Sequence, residues 1–237
     1  MSQAYKNPLI TIPDRKVNEV TQSIIDSFPE SQGNYTREMY VLLEAVKRYS
    51  ESNLPVDYWF LDMDEFVGDA ILKKKYIEIT ADIEKAYSQG IKICFAGSCG
   101  VGKTMTAVCI LKKVVEMGRS ALYTTMSDII AVSTAKNNDD KNDIRRELLE
   151  VDFLIIDELD PKHISSSELG SELFGRIIEP IIRTRIQNKL PLFLCTNSPK
   201  PTSGFTGALK ESISSLMSTI QIVPVIGADQ RSKKVKK

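Results

Sequence analysis

Eight consecutive residues, GSCGVGKT at 97–104, leave this chain few ways to fold. Glycines 97, 100 and 102 permit a tight turn whose backbone N–H groups point inward, and Lys103 and Thr104 place an ammonium and a hydroxyl at its exit. Such a turn works only between a strand that ends and a helix that begins. The flanks comply. IKICFA (91–96) is an apolar run of strand length, and residues 103–117 read as a helix.

Downstream the two patterns alternate. SALYTT (120–125) reads as a strand, and residues near 127–134 as a helix. The polar AKNNDDKND (135–143) reads as a loop, and a short helix follows to Glu150. VDFLIID (151–157) is the next strand, residues 167–188 a helix interrupted at Pro180, and PLFLCT (191–196) another strand. A helix over 207–217 and the strand TIQIVPV (219–225) complete the series. Strands alternating with helices predict an α/β fold, a parallel sheet covered on both faces.

Upstream, residues 13–28 carry Val17, Val20, Ile24 and Phe28 at helical spacing. A second helix is predicted from Thr36 to Tyr49, with Met39, Leu42, Val46 and Tyr49 on one face. The turn-rich PESQGN (29–34) lies between them. Residues 1–52 are therefore expected to form a small helical appendage, which either packs on the main domain or docks a partner. The connector NLPVDYWFLDMDEF (53–66) leads into a helix expected to reach Gln89, with Gly90 as its C-terminal stop. The predicted organisation is an appendage (1–52), a main domain (53–230) and the basic tail RSKKVKK (231–237).

Composition removes several classes. Lysine plus arginine equals aspartate plus glutamate at 31 each, so no global charge argues for nucleic acid. Four cysteines without a C-x-x-C pair, and the single histidine His163, argue against a zinc module and for reduced thiols. No apolar run is long enough to cross a bilayer. The N-terminus lacks a basic segment followed by an apolar one, which predicts a cytoplasmic chain without membrane partners.

The loop residues Gly97, Ser98, Cys99, Gly100, Val101 and Gly102 are expected to cradle the phosphates of ATP through their backbone. Lys103 would reach the β and γ oxygens, and the Thr104 hydroxyl would ligate Mg²⁺. FLIIDE (153–158) is a strand that delivers two acids to the carboxyl edge of the sheet. Asp157 is the second expected Mg²⁺ ligand, and Glu158 the group that polarises an attacking water. LFLCTN (192–197) ends in Asn197, placed to orient that water or sense the γ-phosphate, although an asparagine after a strand also serves as a turn residue. Tyr58, Trp59 and Phe60 either stack on adenine or fill the core, and burial is the preferred reading.

With these residues in view, the chain resembles the AAA+ helicase loaders of the DnaC type and their IstB-type transposition relatives, within the ASCE branch of P-loop ATPases. The resemblance spans about residues 53–237. It rests on PVDYWFLDMDEF, GSCGVGKT, FLIIDE, IIRTRIQNKLPLFLCTNSP and GADQR. It implies a strand inserted between those bearing the lysine and the acids. It implies no full helical lid, in keeping with the 40 residues after Asn197. It also implies that Arg231 contacts the γ-phosphate. The family places an arginine on the helix after the Asn-bearing strand, reaching a neighbouring subunit's ATP. Here that helix reads GALKESISSLMST, so Lys210 or Arg185 is expected to substitute, unless another protein supplies the group or turnover is slow.

The implied function is ATP-dependent loading of a replicative helicase onto single-stranded DNA, by subunits that self-assemble on that partner. The appendage would grip the helicase. The stretch with Lys136, Lys141, Arg145 and Arg146 would face DNA or form a solvated loop, the preferred reading, because Asp139, Asp140 and Asp143 nearly cancel its charge. Two alternatives stay open: an IstB-like transposition helper on duplex DNA, and an ATP-binding switch with little turnover.

Overall fold

The computed structural model describes residues 7–28, 36–135, 138–160, 169, 172–202, 205 and 207–230. Five strands, β1 (Lys92–Gly97), β2 (Ala121–Thr125), β3 (Phe153–Asp157), β4 (Leu192–Thr196) and β5 (Gln221–Val225), form one sheet in the order β2-β3-β4-β1-β5. Every pairing is parallel. β4 therefore lies between β1 and β3, the insertion expected from the resemblance. The central strands are apolar because they are covered on both faces: all of Phe153–Asp157 and Leu192–Thr196 is buried. β5 carries Pro224, which lacks the N–H a central strand needs, and accordingly sits at an edge.

The period of two divides the core into two layers. Ile93, Phe95, Phe153, Ile155, Phe193 and Cys195 face one side, where Phe95, Phe193 and Phe153 stack with ring centroids 6.5 and 6.4 Å apart. Against them lie Val108, Leu111 and Val115 of α5 (Lys103–Glu116). Cys94, Leu154, Ile156 and Leu194 face the other side. They are covered from α6 (Met126–Thr134), α7 (Asn138–Glu150), α8 (Glu179–Gln187) and α9 (Gly207–Met217) by residues such as Ile129, Ile144, Ile182 and Ile213.

The N-terminal helices α1 (Asp14–Asp26) and α2 (Arg37–Glu51) share this core: Ile24, Met39, Val46 and Tyr49 belong to the α5 layer. Thr36 caps α2 by accepting from the Met39 N–H at 3.2 Å. Arg48 donates to the carbonyls of Val115 and Glu116, both at 3.1 Å, closing the C-terminus of α5. Asn53, in the left-handed region at φ 53°, ties the chain entry to the sheet. Its side chain accepts from Thr11 N–H and donates to the carbonyls of Leu9 and Tyr123 at 2.8 and 3.0 Å.

Three predicted elements differ. The single helix expected up to Gln89 is two, α3 (Ala70–Thr80) and α4 (Ile83–Ser88), because Asp82 accepts from the Lys85 N–H and starts a new helix. Gly90 takes the left-handed stop at φ 55°. The polar run read as a loop to residue 143 is already helical from Asn138, because Ile144 and Leu148 give α7 an apolar face to bury. The break expected at Pro180 is instead a π-helical turn, Phe174–Ile178, running directly into α8 with Pro180 in its first turn. Among the described residues no helix is long and apolar enough to cross a membrane.

Candidate functional site

β1 ends at Gly97 and releases the loop that closes on α5. Gly100 and Gly102 adopt φ of 74° and 100°, conformations side chains disfavour. A methyl at Gly100 would meet the Asp229 carboxylate, and one at Gly102 the Phe66 ring, so those side chains would have to shift as well. Gly102 is the N-cap of α5 and gives its first turn no side-chain cap, so the loop presents the positive end of a 14-residue helix.

Four elements converge on this loop. Lys103 is 5% exposed; its Nζ donates to the carbonyls of Gly97 (2.9 Å) and Ser98 (2.6 Å) and to Oδ1 of Asn197 (3.0 Å) at the end of β4. The Thr104 hydroxyl donates to Oδ2 of Asp157 at 2.8 Å. Glu158, the next residue, is exposed, and its backbone N–H donates to Oδ1 of Asp157 at 2.7 Å. Its φ of 54° turns the chain sharply off β3, so that Leu159 N–H meets the Cys195 carbonyl at 2.9 Å. A strained, non-glycine residue at that corner is characteristic of a functional position.

The cradle fits a nucleotide triphosphate and its metal. An ammonium and a helix N-terminus suit phosphate, and the adjoining hydroxyl and carboxylate of Thr104 and Asp157 are hard oxygen donors suited to Mg²⁺. Residues 52–185, more than half the chain, match the model of the family described as IstB-like ATP binding protein. The chain belongs to that family. It is thus a DnaC/IstB-like P-loop protein of an ATP-binding kind.

Solved structures show the same fold. DnaI is 20% identical, with 73% of this chain and 88% of DnaI covered, at a TM-score of 0.54. AMPPCP-bound DnaA from Aquifex aeolicus is 20% identical over 77% of this chain and 54% of that one, at 0.55. DnaA bound to AMPPCP and single-stranded DNA is 20% identical over 77% and 56%, at 0.55. The chain therefore spans about half the length of these two DnaA chains. Comparison with curated proteins gives no match.

The other expected residues fall outside this convergence. Arg231, with the basic tail, lies outside the described residues, as do Lys136 and His163. The segment leading to Arg231 does reach the loop, where Gln230 N–H donates to the Gly100 carbonyl at 2.9 Å; nearer β5, Ile226 N–H donates to Oδ2 of Asp69, the N-cap of α3, at 3.0 Å. Lys210 is exposed on α9. Arg185 requires correction. It is 0% exposed, and its guanidinium donates to the carbonyls of Leu148 (2.8 Å), Val151 (2.9 Å), Asp152 (3.1 Å) and Pro191 (2.8 Å). Burial lowers its pKa to about 10. A guanidinium holding the end of α7 and the start of β4 cannot reach a neighbouring subunit's nucleotide.

Trp59 is core, 1% exposed, donating to the Leu54 carbonyl at 2.6 Å, whereas Phe60 is 60% exposed. On α7, Arg146 pairs with Asp143 at 3.1 Å and Arg145 is exposed. Two groups at the site escaped the sequence reading. The Tyr123 hydroxyl donates to Oδ2 of Asp157 at 2.9 Å, and Phe66 lies against Gly102. Tyr123 did leave a signal: a phenol within an otherwise buried strand must find a partner for its hydroxyl.

Proposed function

We propose that this chain is a magnesium-dependent ATPase that loads a replicative helicase onto single-stranded DNA. The observation that carries the ATPase part is the meeting of three strand ends, where Lys103 contacts Asn197 and Thr104 contacts Asp157. Magnesium held by Thr104 and Asp157 would supply positive charge against the β and γ oxygens. Lys103 binds those oxygens with its ammonium, and the α5 N-terminus binds through backbone N–H groups. Glu158, exposed at the strained corner, accepts a proton from water as that water's oxygen bonds to the γ-phosphorus and the bond to the β–γ bridging oxygen breaks. Asn197 keeps Lys103 in place and orients the water. Arg231 adds charge at the γ-phosphate. Acceleration arises from positioning and electrostatics.

The loader reading is supported by fold neighbours described as a replication initiator, DnaA, bound to single-stranded DNA and as a putative primosome component. A transposition helper acting on duplex DNA is the second reading, favoured by the IstB-like family itself. The test is co-purification on Glu158→Gln protein with ATP, alongside ATP-dependent binding to single-stranded and duplex oligonucleotides. Capture of a hexameric helicase with preference for the single strand supports loading. Capture of a transposase with preference for duplex overturns it in favour of the second reading.

A further inference from the structure

β2 and β3 pair in parallel with Tyr123 opposite Ile155 and Thr125 opposite Asp157, which sends the Tyr123 ring toward the acidic end of β3. The buried hydroxyl donates to Oδ2 of Asp157 at 2.9 Å. Asp157 is then held from three directions: Tyr123 and Thr104 at Oδ2, and the Glu158 N–H at Oδ1. Of these donors, Thr104 is itself an expected metal ligand, and the Glu158 amide belongs to the turn that carries the base. Tyr123 alone comes from a strand with no other part in the site.

Tyr123 is also anchored from behind. Its N–H donates to the Ser52 carbonyl at 2.9 Å, and its own carbonyl accepts from Asn53 Nδ2 at 3.0 Å. Ser52 and Asn53 thus bond the outer edge of β2 at the residue whose side chain holds the acid.

We propose that Tyr123 is a positioning residue for the metal–nucleotide site, fixing the Asp157 carboxylate in the orientation that accepts magnesium. The inference rests on the reading that Thr104 and Asp157 hold that metal. A carboxylate has a soft terminal torsion, and a hydrogen bond to one oxygen sets it.

The test is Tyr123→Phe in the full chain, measured by fluorescence of a labelled ATP in EDTA and then across a magnesium titration, with Asp157→Asn as reference. The variant should need about tenfold more magnesium for half-maximal tightening, the effect expected of one hydrogen bond to a charged acceptor. Its affinity in EDTA should match that of the unaltered protein, which a general disturbance of packing would not leave in place. Tyr123→Met, also without a hydroxyl, serves as the second variant should the first fold poorly. If the unaltered protein responds to magnesium, Asp157→Asn does not, and both Tyr123 variants titrate like the unaltered protein, the positioning role is wrong and the site reading stands. If the unaltered protein is insensitive to magnesium, both fall.

Discussion

The Lys103 ammonium and the Asn197 side-chain oxygen meet at 3.0 Å across 94 positions of sequence. The contact exists because β4 is inserted beside β1, bringing the end of one strand against the loop that leaves the other. It makes Asn197 a support for the lysine, which gives the two residues separable phenotypes.

Lys103→Ala should weaken ATP binding at least about tenfold, the loss of a charge-assisted contact. Asn197→Ala should change affinity less than about threefold and reduce turnover by about 10²-fold, as loss of a preorganised polar group does. Labelled-ATP titration and phosphate release separate the two, and equal losses of affinity would argue against the assigned roles.

Glu158 carries both a carboxylate and a left-handed backbone. Glu158→Gln should bind ATP and lose about 10²–10⁴ in rate. Glu158→Gly should be equally inactive yet lose less than about 1 kcal/mol of stability, because glycine relieves the strain. Thermal melts of both variants check this; a strongly destabilised glycine variant would contradict the strain assignment.

Arg185→Ala should lower stability by about 3–5 kcal/mol, because four carbonyls, two buried and two partly buried, lose their shared donor. In chemical denaturation the midpoint should fall without a change of slope. Mixed into unaltered protein, the variant should reduce ATPase activity only in proportion. A more than proportional loss would restore the role in a neighbouring subunit that its burial denies it.

Cys99 is exposed in the phosphate loop, while Cys94, Cys109 and Cys195 are buried. Burial pushes the Cys94 and Cys109 thiols up to about 12 and about 11, and Cys195 well above its ordinary value. Alkylation at pH 8 followed by mass spectrometry should therefore modify Cys99 first, and ATP should slow it. Modification unaffected by ATP would count against a nucleotide in the loop.

Where structure is set by local backbone mechanics, the residues declare it. Glycine at positive φ, a lysine at the first position of a helix, and an apolar strand ending in two acids are short-range facts. From them the turn between β1 and α5, the placement of Asp157 and Glu158 at the end of β3, and the parallel sheet could be read directly. The charge pattern misled where burial outweighed it. Asn138–Asp143 looked like loop until Ile144 and Leu148 gave α7 an apolar face to bury.

Arg185 and Tyr123 show the other limit. In sequence, one is a cation near a helix end and the other an aromatic in a strand. Only the packed structure shows that four carbonyls surround the first and a carboxylate meets the second. Hydrogen-bond partners lying tens of residues away are chosen by the order in which strands assemble. Periodicity along the chain fixes which face a residue takes, and the sheet order fixes whom it meets there.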